Sequence, residues 1–522
     1  MNGNIYITGF MGVGKSTVGK ALSKLLKRPL IDMDRTISTK TGLSIKSYFE
    51  QFGEASFRNA ETELLKEIAS DQRLVIATGG GVPVSPQNRS IMRSSGKIIH
   101  LNMPIEQCFQ RLGNGSNLSR PKWKDRDSVE ALYNRRAPMY EDCDYTIDVS
   151  GKLPGDCAWE ICERLHANES IDIKLGSSSH GLSISWRTPE ELPELIRSRK
   201  CFVVTDRTVA KLQLGRYLPF MDGATIVRLP VGERSKSLNT ARRLYESMLK
   251  EKLGREDVLI AIGGGVVTDI CAFVASTYKR GIPFILVSTT MVGCVDAAIG
   301  GKAAVDLNQV KNSVGCFSTP SSVLLDLRAL STLPLSCISD GLVEAYKTGL
   351  TLNPDLAKII ETDLDNLLKG DAILLAEVVK LSASAKAKVV SQDFTEKGFR
   401  RILNFGHTYG HAIESLNDFK ISHGMAVAVG MMAAVSISEN RGLLDKKDSS
   451  RIQRTLSKFI HGNFKLPNTN DAWDVMLNDK KNRGGRIGFV LLENLGSAVF
   501  VEDIQFDEVS RAINSARGLL NG

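Results

Sequence analysis

No stretch of this chain approaches the roughly 20 unbroken apolar residues that a membrane-spanning helix needs, so no membrane partner is expected. It has no CxxC pair: the nine cysteines are scattered from Cys108 to Cys337. An odd count over such a length is not a disulfide framework. The start, Met1-Asn-Gly-Asn-Ile-Tyr-Ile, has no basic-then-apolar leader and no Arg/Ser-rich presequence, and runs almost directly into a strand. A soluble cytoplasmic protein in a reducing compartment is therefore expected. The formal charge of +9 comes from dispersed Lys and Arg without an aromatic-basic stripe. It fits phosphorylated small substrates, and no nucleic-acid partner is expected.

With 522 residues, 42% hydrophobic and 24% charged, the chain is too long for one core and ordinary in balance. Residues 4–150 alternate apolar runs (Asn4–Thr8, Leu74–Ala77, Lys97–Leu101) with amphipathic stretches, predicting a parallel sheet with flanking helices. Around 151–182 the pattern loosens into turn-rich sequence, and the joint is placed between about Ala167 and Ile171. A second strand-helix alternation runs to about Asp326, and beyond Leu333-Pro334 helix formers dominate until Ile487–Leu492. The fold class is α/β, in three parts: 1–166 a parallel-sheet domain with flanking helices, 171–328 a second α/β domain of Rossmann-like alternation, and 329–522 a mainly helical domain.

Gly9-Phe-Met-Gly12-Val-Gly14-Lys15-Ser16-Thr17 fits G-x-x-x-x-G-K-[ST], follows a predicted strand and opens a helical pattern. In that context backbone N–H groups wrap phosphates, Lys15 reaches their outer oxygens and Ser16 offers its hydroxyl to magnesium. Asp32 and Asp34 follow the apolar pair Leu30-Ile31, so one can help hold magnesium while the other accepts hydroxyl hydrogen bonds. Arg58 and Arg136 are cations able to fork onto a carboxylate. With Thr78-Gly79-Gly80-Gly81, Arg120-Pro121 and Arg136-Ala-Pro-Met-Tyr140, this ordered set resembles shikimate kinase over about residues 1–166. The resemblance implies that Asp34, Arg58, Gly79, Gly80 and Arg136 bind shikimate. Gly12, Gly14, Lys15, Ser16 and Thr17 would hold ATP and Mg2+, and Arg120 would come from the lid around Gly113–Ser119. Lys15, Asp34 and Arg120 would be catalytic.

In the second half, Gly263-Gly264-Gly265-Val266-Val-Thr-Asp269 follows a strand and can receive a pyrophosphate, although it departs from G-x-G-x-x-G. Pro230-Val-Gly-Glu233-Arg-Ser-Lys236 reads as an exposed turn with an acid placed for ribose hydroxyls. Three of the seven histidines, His407, His411 and His423, fall within seventeen residues, which suggests a metal centre. Spacing alone favours His407 and His411 as the ligand pair, with Glu344, at the start of a helical run, as a carboxylate ligand. Lys302, Lys311, Lys347, Lys386, Arg400 and Lys480 suggest a substrate carrying phosphate and carboxylate.

Residues 171–522 resemble 3-dehydroquinate synthase through Gly263–Asp269, Arg280-Gly281, Ser288-Thr289-Thr290, Val295-Asp296, Gly300-Gly-Lys302 and Lys311-Asn312. The match continues through Thr332-Leu-Pro, Glu344-Ala-Tyr-Lys347, Arg400, Leu403-Asn404-Phe-Gly-His407-Thr-Tyr-Gly-His411 and His423-Gly424. The resemblance implies zinc or cobalt on Glu344, His407 and His423, with His411 handling protons in the substrate pocket. NAD would be held by Glu233, Lys236, Gly264, Gly265, Val266, Asp269, Thr289, Thr290, Asp296, Lys302, Lys311 and Thr332. Asp296, Lys302, Asn312, Lys347, Lys386, Arg400, Asn404, His411 and Lys480 would contact 3-deoxy-D-arabino-heptulosonate 7-phosphate, with Lys302, Asn312, Arg400 and His411 catalytic. Arg280 would reach the neighbouring subunit's site, implying a homodimer. Ser288 stands where the family usually has Pro, Ala297-Ala298 where serines are usual, Ala303 in place of Thr and Asp393-Phe394 in place of Asp-Glu. These departures leave room for a relative that closes a different sugar phosphate or for altered NAD affinity; the alternative reading of this half is another sugar-phosphate cyclase or a metal-dependent polyol dehydrogenase.

Overall fold

A computed structural model describes residues 3–113, 126–175, 178–308, 310–418, 420–462, 466–477 and 486–521. Two compact units divide the chain, Met1–Ala167 with Gly370–Leu374, and Asn168–Lys369 with Leu375–Gly522.

In the first unit, β1 (Asn4–Thr8), β2 (Leu30–Asp32), β3 (Val75–Ala77), β4 (Gly96–Asn102) and β5 (Tyr145–Asp148) form a parallel sheet in the order β2-β3-β1-β4-β5. Ile5, Tyr6, Ile7, Val75 and Ile76 are fully buried, as strands covered on both faces require. The helix Lys15–Leu26 covers one face through Val18, Gly19, Leu22 and Leu26, a one-sided stripe at helical spacing. Because β1 lies between β3 and β4, the turn that follows it opens at the point where the strand order changes direction, the place such sheets offer to ligands.

The second unit holds β6 (Glu169–Leu175), β7 (Ser178–Ser185), β8 (Cys201–Asp206), β9 (Thr225–Leu229), β10 (Val258–Gly263) and β11 (Phe284–Ser288). After them come the antiparallel hairpin of β12 (Lys302–Leu307) and β13 (Val310–Phe317), then β14 (Ser322–Asp326). The main sheet runs β6-β7-β14-β11-β10-β8-β9. The segment expected to be turn-rich contributes β6 and β7, paired antiparallel through Ile171↔Leu182 and Ile173↔His180. Its serines and glycines hid the strands, because main-chain pairing to β14 on the other side supplies the order that composition did not.

The helical region follows, with helices Leu335–Leu352, Pro354–Lys369, Ala372–Gln392, His407–Leu416 and His423–Asn440 and a terminal hairpin of β15 (Phe489–Asn494) and β16 (Ser497–Val501). The helix Leu335–Leu352 is buried almost all round from Gly341 to Thr351, yet it carries Glu344 and Lys347 at about 1% exposure each. Glu344 lies mid-helix and does not begin the run as expected. Charges are kept in such a position only when paired or functional. Among the described residues, no helix is long and apolar enough to cross a membrane.

Candidate active sites

The turn after β1 is shaped by Gly9, Gly12 and Gly14, whose φ values of 137°, 84° and 100° strongly favour glycine. Lys15 Nζ donates to the carbonyl oxygens of Gly9 (2.9 Å) and Phe10 (3.0 Å), so the loop curls round its own lysine. Ser16 Oγ donates to Asp32 Oδ2 at 2.5 Å, and Asp32 Oδ1 caps the helix Met33–Thr41 by accepting from Arg35 N. A hydroxyl and a carboxylate beside a phosphate loop are the oxygen ligands that magnesium takes. These groups fit the expected ATP and Mg2+.

Asp34 stands in the first turn of the helix Met33–Thr41. A Cβ built on Gly79 would lie 2.6 Å from Asp34 Oδ1 and 2.5 Å from Glu61 Oε1, so two carboxylates converge where glycine leaves room. Arg136 Nη1 (3.1 Å) and the Tyr140 hydroxyl (2.5 Å) both donate to Gly80 O. Arg58 forks between Glu61 (2.5 Å) and Glu54 (3.1 Å). The structure thus gathers the expected Asp34, Arg58, Gly79, Gly80 and Arg136 into one pocket; Arg120 lies outside the described residues. Replacing Gly79 by Ala is expected to push the two carboxylates apart, raising KM for shikimate by about tenfold or more while the KM for ATP stays within twofold. Steady-state kinetics with each substrate varied would check this.

Glu61 escaped the sequence reading. Its only signal is the i,i+3 spacing from Arg58 on the helix Ile45–Ala69. Burial pushes its carboxyl up, against the pull of Arg58, to about 7 from the ordinary 4.5. Between these values the folded protein holds a proton that the unfolded chain has lost, so this unit loses stability as pH rises through the window, by about 3 kcal/mol in all. Glu61→Gln, which cannot titrate, is expected to flatten the fall of this unit's unfolding temperature between pH 5 and 8. An unaltered slope would refute the assignment. Arg111, also missed, donates from Nη1 to Val13 O at 3.2 Å and flanks the phosphate loop.

In the second unit, β10 ends at Gly263, and Gly264 precedes the helix Gly265–Thr277. A Cβ on Gly264 would meet Thr290 Cγ2 at 2.8 Å, and one on Gly265 would meet Ala297 Cβ at 3.4 Å, so Gly264, Gly265 and Val266 form a backbone cradle at a helix start. Thr289 Oγ1 beside it is buried and has no hydrogen-bond partner. An orphaned hydroxyl next to such a cradle fits a dinucleotide. The turn is exposed over residues 230–234, as expected, but its last two residues, Ser235 and Lys236, are buried. For Lys236 the cause is electrostatic: its Nζ donates to Asp269 Oδ2 and Asn312 Oδ1, both at 2.5 Å, with Glu233 adding negative charge nearby.

Asp296, in the π-helical turn Gly293–Ala297, accepts from Lys386 at 2.5 Å and lies 4.0 Å from Lys347. Lys347 pairs with Glu344 Oε2 at 2.5 Å, leaving Glu344 Oε1 at 3.1 Å from His423 Nε2 and 3.6 Å from His407 Nε2. Ligand atoms of Glu344, His407 and His423 all lie within 4.8 Å of one another. His407 Nδ1 is 3.2 Å from Phe405 O, which leaves Nε2 for a cation. One carboxylate and two imidazoles suit zinc or cobalt. The pair His407 and His411 favoured by spacing is corrected. His411 shares the helix face, with its ring 5.3 Å from His407 and 6.3 Å from His423, but it is not part of the triad whose donor atoms meet. Glu344 arrives from another helix, on the side of His423.

Burial opposes ionisation of Glu344, yet Lys347 and the imidazoles outweigh it and hold its carboxyl well below the usual range. Burial lowers Lys386 to about 8, with Asp296 opposing. Arg400, 2% exposed, donates from Nη1 and Nη2 to Gly300 O at 3.1 Å each and from Nη1 to Phe394 O at 2.6 Å, so it anchors the turn before Lys302. Lys302 pairs with Glu396, which accepts from Asn404 at 2.7 Å. Glu396 and Glu414, 3.4 Å from His423 Nδ1, were missed because nothing local marks a lone glutamate. The Thr332 hydroxyl accepts from Gln213 Nε2 at 2.7 Å and donates to Ala329 O at 2.9 Å. Arg280 ends the turn Tyr278–Arg280 with φ 68° and is exposed, as is Lys279, while Tyr278 is buried. Lys480 lies outside the described residues.

Comparison with known proteins agrees with this division. The shikimate kinase family model matches residues 11–166, and the N-terminal and C-terminal models of 3-dehydroquinate synthase match 226–340 and 341–482. A bifunctional shikimate kinase/3-dehydroquinate synthase from Thermotoga maritima is 32% identical over 501 residues, 95% of this chain and 97% of that one. A 3-dehydroquinate synthase from Symbiobacterium thermophilum is 37% identical over 361 residues, 66% of this chain and all of that one. Among solved structures, a 2-epi-5-epi-valiolone synthase from Streptomyces hygroscopicus with NAD+ and Zn2+ bound superposes with a TM-score of 0.60 at 25% identity, over 66% of this chain and 98% of that one. With a phosphate loop and carboxylate pocket in one unit, a cradle and metal triad in the other, and a relative matching both end to end, the chain belongs to the family of bifunctional shikimate kinase/3-dehydroquinate synthases.

Proposed function

We propose that each activity runs on the residues its own unit gathers. The chain phosphorylates the 3-hydroxyl of shikimate with ATP and converts 3-deoxy-D-arabino-heptulosonate 7-phosphate to 3-dehydroquinate and phosphate with NAD and a divalent metal. In the kinase, Lys15, Ser16 and Thr17, with the loop of Gly12 and Gly14, hold ATP and magnesium. Asp34 orients the attacking hydroxyl, Arg58, Gly79, Gly80 and Arg136 seat shikimate, and Arg120 adds a catalytic cation for ATP. Catalysis there is positioning and charge neutralisation.

In the synthase, residues 171–328 carry the NAD site and 329–522 the metal site. Glu344, His407 and His423 hold zinc or cobalt, which supplies polarisation of the alcohol to be oxidised. Glu233, Lys236, Gly264, Gly265, Val266, Asp269, Thr289, Thr290, Lys311 and Thr332 hold NAD, whose nicotinamide supplies the hydride acceptor. Asp296, Lys302, Asn312, Lys347, Lys386, Arg400, Asn404 and Lys480 orient the anionic substrate, and His411 moves a proton. Arg280, exposed on its own subunit, completes the site of a second copy in a homodimer. Cytoplasmic residence suits both substrates. The carrying observation is Glu344 Oε1 within 3.6 Å of both His407 Nε2 and His423 Nε2.

The test is incubation of the purified chain with the heptulosonate phosphate, NAD and zinc, with and without chelator. Chelator-sensitive phosphate release with 3-dehydroquinate formed and no net NADH is expected. Accumulating NADH would instead mean a dehydrogenase, and a different carbocycle another sugar-phosphate cyclase.

A further inference from the structure

The hairpin of β12 and β13 places two neighbouring side chains on two different clusters. Asn312 Oδ1 accepts from Lys236 Nζ at 2.5 Å, and Lys236 pairs with Asp269 on the helix that starts at the glycine cradle. Lys311, the residue before it, reaches Glu414 Oε1 at 3.2 Å. Glu414 is 4% exposed on the helix His407–Leu416, and its other oxygen lies 3.4 Å from His423 Nδ1. The Nε2 of the same imidazole faces Glu344 Oε1 at 3.1 Å. Asn312 is held in a left-handed conformation (φ 51°), with its N–H donating to Asp306 Oδ1 at 2.7 Å, so the hairpin fixes how its two side chains diverge.

A ligand imidazole whose second nitrogen donates to a carboxylate is fixed in tautomer and ring orientation. We infer that Glu414 is a positioning residue for the metal ligand His423, and that Lys311 ties it to the hairpin, so that NAD and the metal bind cooperatively. NAD settling against Asp269 and Lys236 steadies Asn312, hence the hairpin, hence Lys311 and Glu414, and a better-held His423 binds its cation more tightly. Linkage makes the effect reciprocal: zinc must tighten NAD by the same factor. Lys347 also links Glu344 to Asp296, a contact that a Lys311 variant leaves in place.

The inference rests on the proposed ligand set, and the experiment keeps the two apart. Zinc affinity of the full-length chain is measured by competition with a chromophoric chelator, with and without saturating NAD, and the cobalt form is examined by its visible absorption. The wild-type chain is expected to bind zinc at least about fivefold more tightly with NAD. Glu414→Gln is expected to weaken zinc by about 10- to 100-fold and shift the cobalt bands, with Glu414→Asp recovering part of the loss. Lys311→Met is expected to shrink the NAD-linked gain below twofold. Undiminished kinase activity shows that each variant is folded in the other unit, and far-ultraviolet circular dichroism reports on this one. Wild-type zinc affinity indifferent to NAD, Glu414→Gln binding zinc and showing cobalt bands as wild type does, or Lys311→Met keeping the full gain would each overturn the inference. If His407→Ala also retains zinc, the ligand set itself is wrong. If His407→Ala loses zinc while Glu414→Gln keeps it, only the present inference fails.

Discussion

Glu344→Gln is expected to leave a chain that releases no measurable phosphate from the heptulosonate substrate, a fall of about 10³-fold or more, while shikimate is phosphorylated at the wild-type rate. Loss of a Lewis acid that stabilises developing charge by several kcal/mol translates into that factor. The amide keeps the shape of the side chain but removes the anion shared by Lys347, His407 and His423. Lys347, 1% exposed, is then left with Asp296 at 4.0 Å as its ion-pair partner among the described residues, with Glu396 adding negative charge from farther away. Breaking a buried pair from one side costs about 3–5 kcal/mol, so the synthase unit is also expected to unfold at lower temperature. Metal content by atomic emission and two separate assays on one preparation check the result. Wild-type zinc occupancy in the variant would refute the ligand set.

The second large effect belongs to the other unit. Lys15→Met is expected to lower kinase turnover by about 10²- to 10³-fold, the usual loss when a preorganised donor to transferring charge is removed. The methionine retains much of the chain length but cannot donate to the carbonyls of Gly9 and Phe10, so the loop loses its internal brace along with its cation. Synthase activity should be untouched. A variant with undiminished phosphorylation of shikimate would mean that the phosphate loop is not the nucleotide site.

The P-loop was legible because its chemistry is contiguous: glycines, lysine and hydroxyl sit within nine residues, and the strand before and helix after them are visible in the apolar pattern. The metal triad was less so. Spacing favoured His407 with His411, since only neighbours on one helix can be read locally. Glu344, arriving from the helix Leu335–Leu352, could be offered as a carboxylate ligand, but its grouping with His407 and His423 came from resemblance to a family. Glu61, Glu396 and Glu414 were invisible for the same reason. Each is defined by burial or by partners far along the chain, such as Lys302 for Glu396 and Lys311 for Glu414. Strands β6 and β7 were obscured because their order comes from pairing with each other and with β14.

Arg400 spends its guanidinium on the carbonyl oxygens of Gly300 and Phe394, and a Cβ on Gly300 would lie 2.3 Å from its Nη2. The residue therefore works as a rivet, and lysine is a poor substitute despite its equal charge. An ammonium group is a compact point of attachment, whereas a flat fork can clasp two main-chain segments and hold their spacing. Swapping one cation for the other should loosen the root of the hairpin that bears Lys302, an effect that added salt would do little to mask.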